Sequence, residues 1–282
     1  MGFPRLISLC QGTAGVSLDH FMLEWRDIME SECHRHSIWQ GAFMKNLRDV
    51  DAQNDLGFGL ASVWAVNMVH GSYCFPRYVA ALASRAQSDF VRHGLIENAW
   101  DESGGIHHYS RSHFWLAVRL ARLLGLRDEE IERVRPLPSA IEYMDAHFNQ
   151  CSNGEFDVGL GMICLIEEFT TSEFSAVFKG LLRTCYASLG LSQDEFILNG
   201  GGEYFTANIS DDETHREKMP LIVAVHLAEA GVNLESVAEV RKALSGVIQG
   251  IQESIHLRAN FLEGIVEYVR GGRSYLDLVN QN

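Results

Sequence analysis

The sequence predicts an all-α protein, and three observations predict it. Only 5 prolines occur in 282 residues. Long stretches rich in Leu, Ala, Glu and Arg alternate with short Gly, Ser and Asn clusters. Within those stretches apolar residues recur at three- and four-residue steps, the period of a helix with one buried face. With 46% hydrophobic residues, the chain can build a large core without disulfide staples.

Residues 1–17 read as an irregular N-terminal arm, and 18–282 as one helical domain. A first helix is expected after Ser17, with Phe21, Trp25, Ile28 and Met29 on its apolar face. Helices are then expected over 38–48, 58–70 and 76–100. The run Ser103-Gly104-Gly105 breaks the pattern, and helix resumes to about Leu124. Pro136-Leu137-Pro138 reads as a connector, with Ser139 as the cap of the helix that follows. Further helices fit 155–169, 173–188, 203–230, 234–252 and 254–270, with Gly-rich or Asn-Gly punctuation between them.

The formal net charge of −14 repels nucleic-acid backbones and anionic lipid surfaces, so neither is an expected partner. No apolar run reaches bilayer length. The opening residues hold one Arg and no sustained apolar stretch, so a signal peptide is not expected and a cytoplasmic location is. Six cysteines are scattered without a Cys-x-x-Cys pair, which fits buried thiols better than a disulfide framework or zinc ribbon.

Polar residues interrupt four helical stripes at core-facing steps. One stripe runs Phe205, Asn208, Asp212, His215, Met219, Ile222, His226. Another runs Leu160, Ile163, Glu167, Thr170, Phe174. Val91, Leu95, Asn98 and Glu102 make a third; His113, Leu116, Ala117, Leu120 and Leu124 a fourth. Burying a carboxylate without a counter-charge costs several kcal/mol or forces protonation. No Lys or Arg lies on these stripes. One or two divalent metals would balance them, and mixed carboxylate and imidazole ligands suit iron or manganese.

Other patterns carry less. Glu253-Ser254-Ile255-His256 is a single Glu-x-x-His where a ferritin-like site wants two, and reads as a surface helix pair. Cys33-His34-Arg35-His36 lacks a partner cluster for zinc. Cys164 sits on a core helix with no activating base in view. Gly200-Gly201-Gly202 follows no strand and reads as a flexible connector.

Phe75-Pro76-Arg77, then twenty intervening residues, then Asn98-Ala99-Trp100-Asp101-Glu102-Ser103-Gly104 resembles a motif pair of the haem-oxygenase-like non-haem di-iron oxidases and oxygenases. Those proteins are relatives of the TenA and pyrroloquinoline-quinone synthase fold. Gly161 with Glu167, and Phe205 through Asn208 and Asp212 to His215, are similar to that family's later ligand helices. The matches run from residue 75 to 215 in the family's order. The resemblance implies a haem-oxygenase-like helical bundle holding two ferrous ions. It implies O2 activation and oxidation of a small amino-acid-like, amine or fatty-acid-like molecule, with an electron donor as a further partner; a homodimer is the default assembly. It carries over Glu102, His113, Glu167, Asp212 and His215 as metal ligands, with Glu167 spanning both metals.

The chain departs from the family at Asn208, where a histidine is expected. The sixth position therefore falls to Asn208, His107 or His108, and one metal instead of two stays open. Two rival classes remain: a metal-free enzyme working by acid–base chemistry, and a non-catalytic helical binding protein. The second leaves three carboxylates buried without compensation.

Overall fold

A computed structural model describes residues 18–48, 55–105 and 111–280; no side chain is described for residues 55, 186 and 210–214. The expected arm 1–17 and the histidines His107 and His108 lie outside the described residues. The secondary structure of the described residues is helical, without strands.

Helix α1 (Asp19–Ile28) buries Phe21 and Trp25 and widens into a π-type turn over Met29–His34. A 3-10 turn at Ser37–Gln40 leads to α2 (Ala42–Arg48). Helix α3 (Asp55–Arg85) runs unbroken through Gly71 and Pro76, where a break was expected. Pro76 lacks the N–H that would bond the carbonyl four residues back, at Ser72, yet the helix continues. The actual break is at residues 86–88. Ser88 then caps α4 (Asp89–Glu102), its side chain accepting from the Val91 N–H. Gly104 and Gly105 end α4 with φ of 104° and 52°, a conformation open to glycine, so the break falls just after Glu102.

Ser112 caps α5 (His113–Leu123) by accepting from the Trp115 N–H. A one-turn helix α6 (Asp128–Ile131) follows. Helix α7 (Pro138–Asn153) starts with Pro138 in its first turn, one residue before the expected cap at Ser139. Its Leu137 N–H donates to Asn67 Oδ1 at 2.8 Å, tying it to α3.

Helix α8 (Phe156–Leu189) is continuous, so the expected gap at 170–172 is absent. The one-turn α9 (Gln193–Phe196) and a π-type turn at Ile197–Gly201 lead into α10 (Glu203–Glu229). The glycines there are not a loose connector: a Cβ on Gly201 would sit 2.4 Å from the Phe196 ring. The last segment divides at Leu244 instead of residue 253, into α11 (Val237–Ala243) and α12 (Ser245–Arg270).

Helix α8 is the axis of the bundle, packed by α12, α10 and α3, while α3 also packs α4, α5 and α7. The crossing of α8 and α12 is unusually close. A Cβ on Gly161 would lie 2.0 Å from the Val247 carbonyl oxygen, and one on Gly250 would lie 2.0 Å from that of Val158. Two glycines thus let the two backbones touch. No helix among the described residues is long and apolar enough to cross a membrane.

Candidate metal centre

The four interrupted stripes converge. Val91, Leu95, Asn98 and Glu102 on α4 are all buried, as are Leu160, Ile163, Glu167, Thr170 and Phe174 on α8. On α10, Phe205, Asn208, His215, Met219 and Ile222 are buried, and on α5 so is His113. Glu102, Glu167 and His215 are 3%, 0% and 2% exposed, too deep for water to neutralise them.

Each of the three has one atom held and one atom bare. Asn98 Nδ2 donates to Glu167 Oε1 at 2.6 Å. His113 Nδ1 lies 2.5 Å from Glu102 Oε2. His215 Nε2 is 3.4 Å from Asp101 Oδ2. Among the described residues, Glu167 Oε2, Glu102 Oε1 and His215 Nδ1 have no hydrogen-bond partner. These bare atoms face one another: His215 Nδ1 is 3.4 Å from Glu167 Oε2 and 3.8 Å from Glu102 Oε1. All three residues offer a ligand atom within 4.8 Å of the others.

Buried polar atoms are seldom left unpaired, and here three of them share one point. Two carboxylate oxygens and an imidazole nitrogen are a donor set for iron or manganese, so the residues present fit a metal. The neighbours that hold the opposite atoms are the kind of support that metal ligands need. Burial alone would lower the His215 pKa, but the charges of Glu167 and Glu102 and the hydrogen bond to Asp101 outweigh it, holding it at about 11. A proton on His215 Nδ1 would pair it with Glu167 Oε2, and a metal bound there would displace that proton.

The other expected site residues are placed as follows. His113 stands behind Glu102, against the oxygen that faces away from His215. Asn208 is 5% exposed and donates from Nδ2 to the Tyr204 carbonyl at 2.6 Å. Asp212 lies on α10 one turn before His215, but its side chain is outside the described residues, as are His107 and His108. Cys164 is fully packed, and burial pushes its thiol well above the ordinary range, so it is no nucleophile. Glu253 and His256 line a shallow groove with Gln150 and Asn153, apart from Glu102.

Beside Glu102 opens a cavity of about 50 Å³. Asn208 and Glu102 line one side of it; Phe75, Phe174 and Phe261 supply much of the apolar wall. Arg258 of α12 also lines it, and its Nε and Nη2 donate to Glu173 of α8 at 2.9 and 2.5 Å. An outer groove bounded by Tyr73, Arg77 and Phe114 shares Ser72 and Glu102 with the cavity, which gives the site a way out to the surface.

Stripe reading included Asn98 and His113 but missed Asp101 and Arg258. Arg258 was within reach, because it interrupts the apolar series Val247, Ile251, Ser254, Phe261, Ile265 of α12. Asp101 carried no signal, since it flanks the α4 stripe and touches His215 only through the fold.

The comparisons with known proteins bear on this site directly. A model of a family described as iron-containing redox enzymes matches residues 62–247, a span that holds Glu102, His113, Glu167 and His215. The chain is 26% identical over 180 residues to a 4-aminobenzoate synthase of Chlamydia muridarum (strain MoPn / Nigg), covering 64% of this chain and 71% of that protein. The protein of the same name from Chlamydia trachomatis serovar D is 26% identical over 175 residues, covering 62% and 70%. A solved domain of unknown function with a heme oxygenase-like fold, from Shewanella denitrificans, superposes with a TM-score of 0.55 at 15% identity. It covers 90% of this chain and 94% of its own, which establishes the fold as haem-oxygenase-like.

Proposed function

Since the chain belongs to the family of iron-containing redox enzymes, we propose that it is an O2-dependent non-haem iron oxidase or oxygenase using two ferrous ions. Its substrate is a small amino-acid-like, amine or fatty-acid-like molecule held in the cavity beside Glu102. The observation that carries this reading is the meeting of three buried, unpaired ligand atoms at one point. The synthase name of the two Chlamydia relatives supports a biosynthetic task.

Glu102, Glu167 and His215 would hold the metal, joined by His113 and Asp212, with Glu167 between the two ions. Asn208, His107 or His108 fills the remaining position. When bound, iron supplies the means to reduce O2 and oxidise an otherwise unreactive molecule. The chain's own part is positional. Asn98 fixes the rotation of the Glu167 carboxylate, and Asp101 selects the His215 nitrogen left free. The aromatic walls keep water from the reacting molecule. An external electron donor would complete the turnover.

The test is anaerobic titration of metal-free protein with ferrous iron, followed by O2 and rapid optical spectroscopy. Two irons per chain and a transient visible band are expected, and both should vanish in Glu167→Ala. One iron per chain would overturn the two-metal part. No binding at all would overturn the redox reading and favour the metal-free acid–base class.

A further inference from the structure

The cavity beside Glu102 has a second polar feature that the metal does not explain. Arg258 is 6% exposed, and Glu173, which receives both of its hydrogen bonds, is 0% exposed. Trp64 Nε1 also donates to Glu173, so the carboxylate is satisfied from two sides. The guanidinium lies 5.0 Å from the Tyr143 ring centroid and 5.2 Å from that of Phe261. This part of the wall is therefore polar but carries no net charge.

That balance decides what can sit there. Among the described residues, no lysine and no other arginine lines the cavity. A carboxylate entering beside Arg258 would bring one uncompensated negative charge against a largely apolar wall, losing its hydration without a counter-charge. An uncharged group loses nothing of the kind. The Tyr78 hydroxyl gives the site a specific handle. It lines the cavity, is 2% exposed, and has only the Cys74 thiol, a weak hydrogen-bonding group, beside it. Tyr78 and Tyr143 both pack their rings on His147, which places the hydroxyl's side chain on the Arg258 side. A hydroxyl paired only with a thiol gains when a neutral polar group on a ligand bonds it instead.

We propose that the Arg258 end of the cavity is a subsite for an uncharged, ring-sized group bearing a neutral hydrogen-bonding function. The Arg258–Glu173 pair turns carboxylates away from it, and Tyr78 recognises the polar function. Any charge on the molecule stays at the Glu102 end. This narrows the substrate class of the function proposed above, and rests on that cavity being where the substrate binds.

The experiment is calorimetric binding of phenol, toluene and benzoate to the metal-free full chain at neutral pH. Phenol is expected to bind at least about tenfold tighter than benzoate. Tyr78→Phe should weaken phenol by about five- to tenfold, close to toluene, and leave toluene unchanged. Glu173→Gln keeps the volume and removes the balancing charge. It should strengthen benzoate by about tenfold or more and change phenol by less than about threefold. Glu102 and Glu167 are the same in wild type and variant, so their repulsion of benzoate cancels in that comparison.

Benzoate binding the wild type as tightly as phenol would overturn the proposal, as would phenol affinity indifferent to Tyr78→Phe, or no probe binding. Should Glu173→Gln fail to fold, the wild-type ratio and Tyr78→Phe still decide. Because no metal is present, failure here leaves the iron titration standing, and failure of that titration leaves this result standing.

Discussion

At the metal centre a ligand side chain has two ends, and the chain uses both. Asn98, His113 and Asp101 each occupy one atom of Glu167, Glu102 and His215, leaving the other atom of each unpaired. Such partners are worth about 10–100-fold in metal affinity. Asn98→Leu is therefore expected to weaken ferrous or cobaltous binding by about that factor while circular dichroism stays helical. Unchanged affinity would mean that the backbone of α8 alone orients Glu167. The buried cluster of Glu102, Glu167 and His215 was legible in the sequence, because helical period reports which side of a helix is buried, and the three sit where apolar residues belong. Asn98 and His113 lie on the same stripes, but Asp101 does not. The tie between Asp101 and His215, like that between Arg258 and Glu173, depends on which helices become neighbours, and period says nothing of that.

Among the helices, the sequence placed the segments well and their ends poorly. It expected breaks around 71–75 and 170–172, where Gly71, Pro76 and a Thr-Thr-Ser run weaken local helix preference. Both α3 and α8 pass straight through. Packing on several sides holds a helix that its own residues would abandon, the usual way tertiary structure overrides propensity. Where a break needed positive φ, at Gly104 and Gly105, the expectation and the structure agree. The glycines at the α8–α12 crossing have the opposite task, and substitution separates them. Gly161→Ala places a Cβ 2.0 Å from the Val247 carbonyl oxygen and is expected to cost about 3 kcal/mol or more. Gly57→Ala on α3, with nothing among the described residues within 4 Å of its Cβ, is expected to stabilise by up to about 1 kcal/mol. Denaturant unfolding of both variants checks this; equal midpoints would show that the crossing relaxes freely.

Across the whole molecule, buried polar contacts tie α12 to α7 through His147 and to α8 through Arg258. His147 Nδ1 donates to the Tyr143 carbonyl at 2.7 Å, and its Nε2 accepts from Ser254 Oγ at 2.8 Å. Burial drives the His147 pKa down to about 4. Between that value and the ordinary 6.5 the unfolded chain binds more protons than the folded one. Stability from this group is thus complete above about pH 6.5 and is lost as the pH falls through 4, on the order of 3 kcal/mol in all. Urea midpoints at pH 7 and 4.5 should differ more for the wild type than for His147→Gln; an equal difference would remove the histidine as the cause. The same three helices also set the reach of the cavity. Glu167 lies six residues beyond Gly161 on α8, about 9 Å along the axis, and Arg258 eight residues beyond Gly250 on α12, about 12 Å. The glycine contact is then the joint of a pair of compasses, with the metal ligand on one leg and the arginine on the other. The closeness of that joint sets how near the two legs run, and the Arg258–Glu173 pair ties them further along, so the gap between the two points is fixed from places outside it.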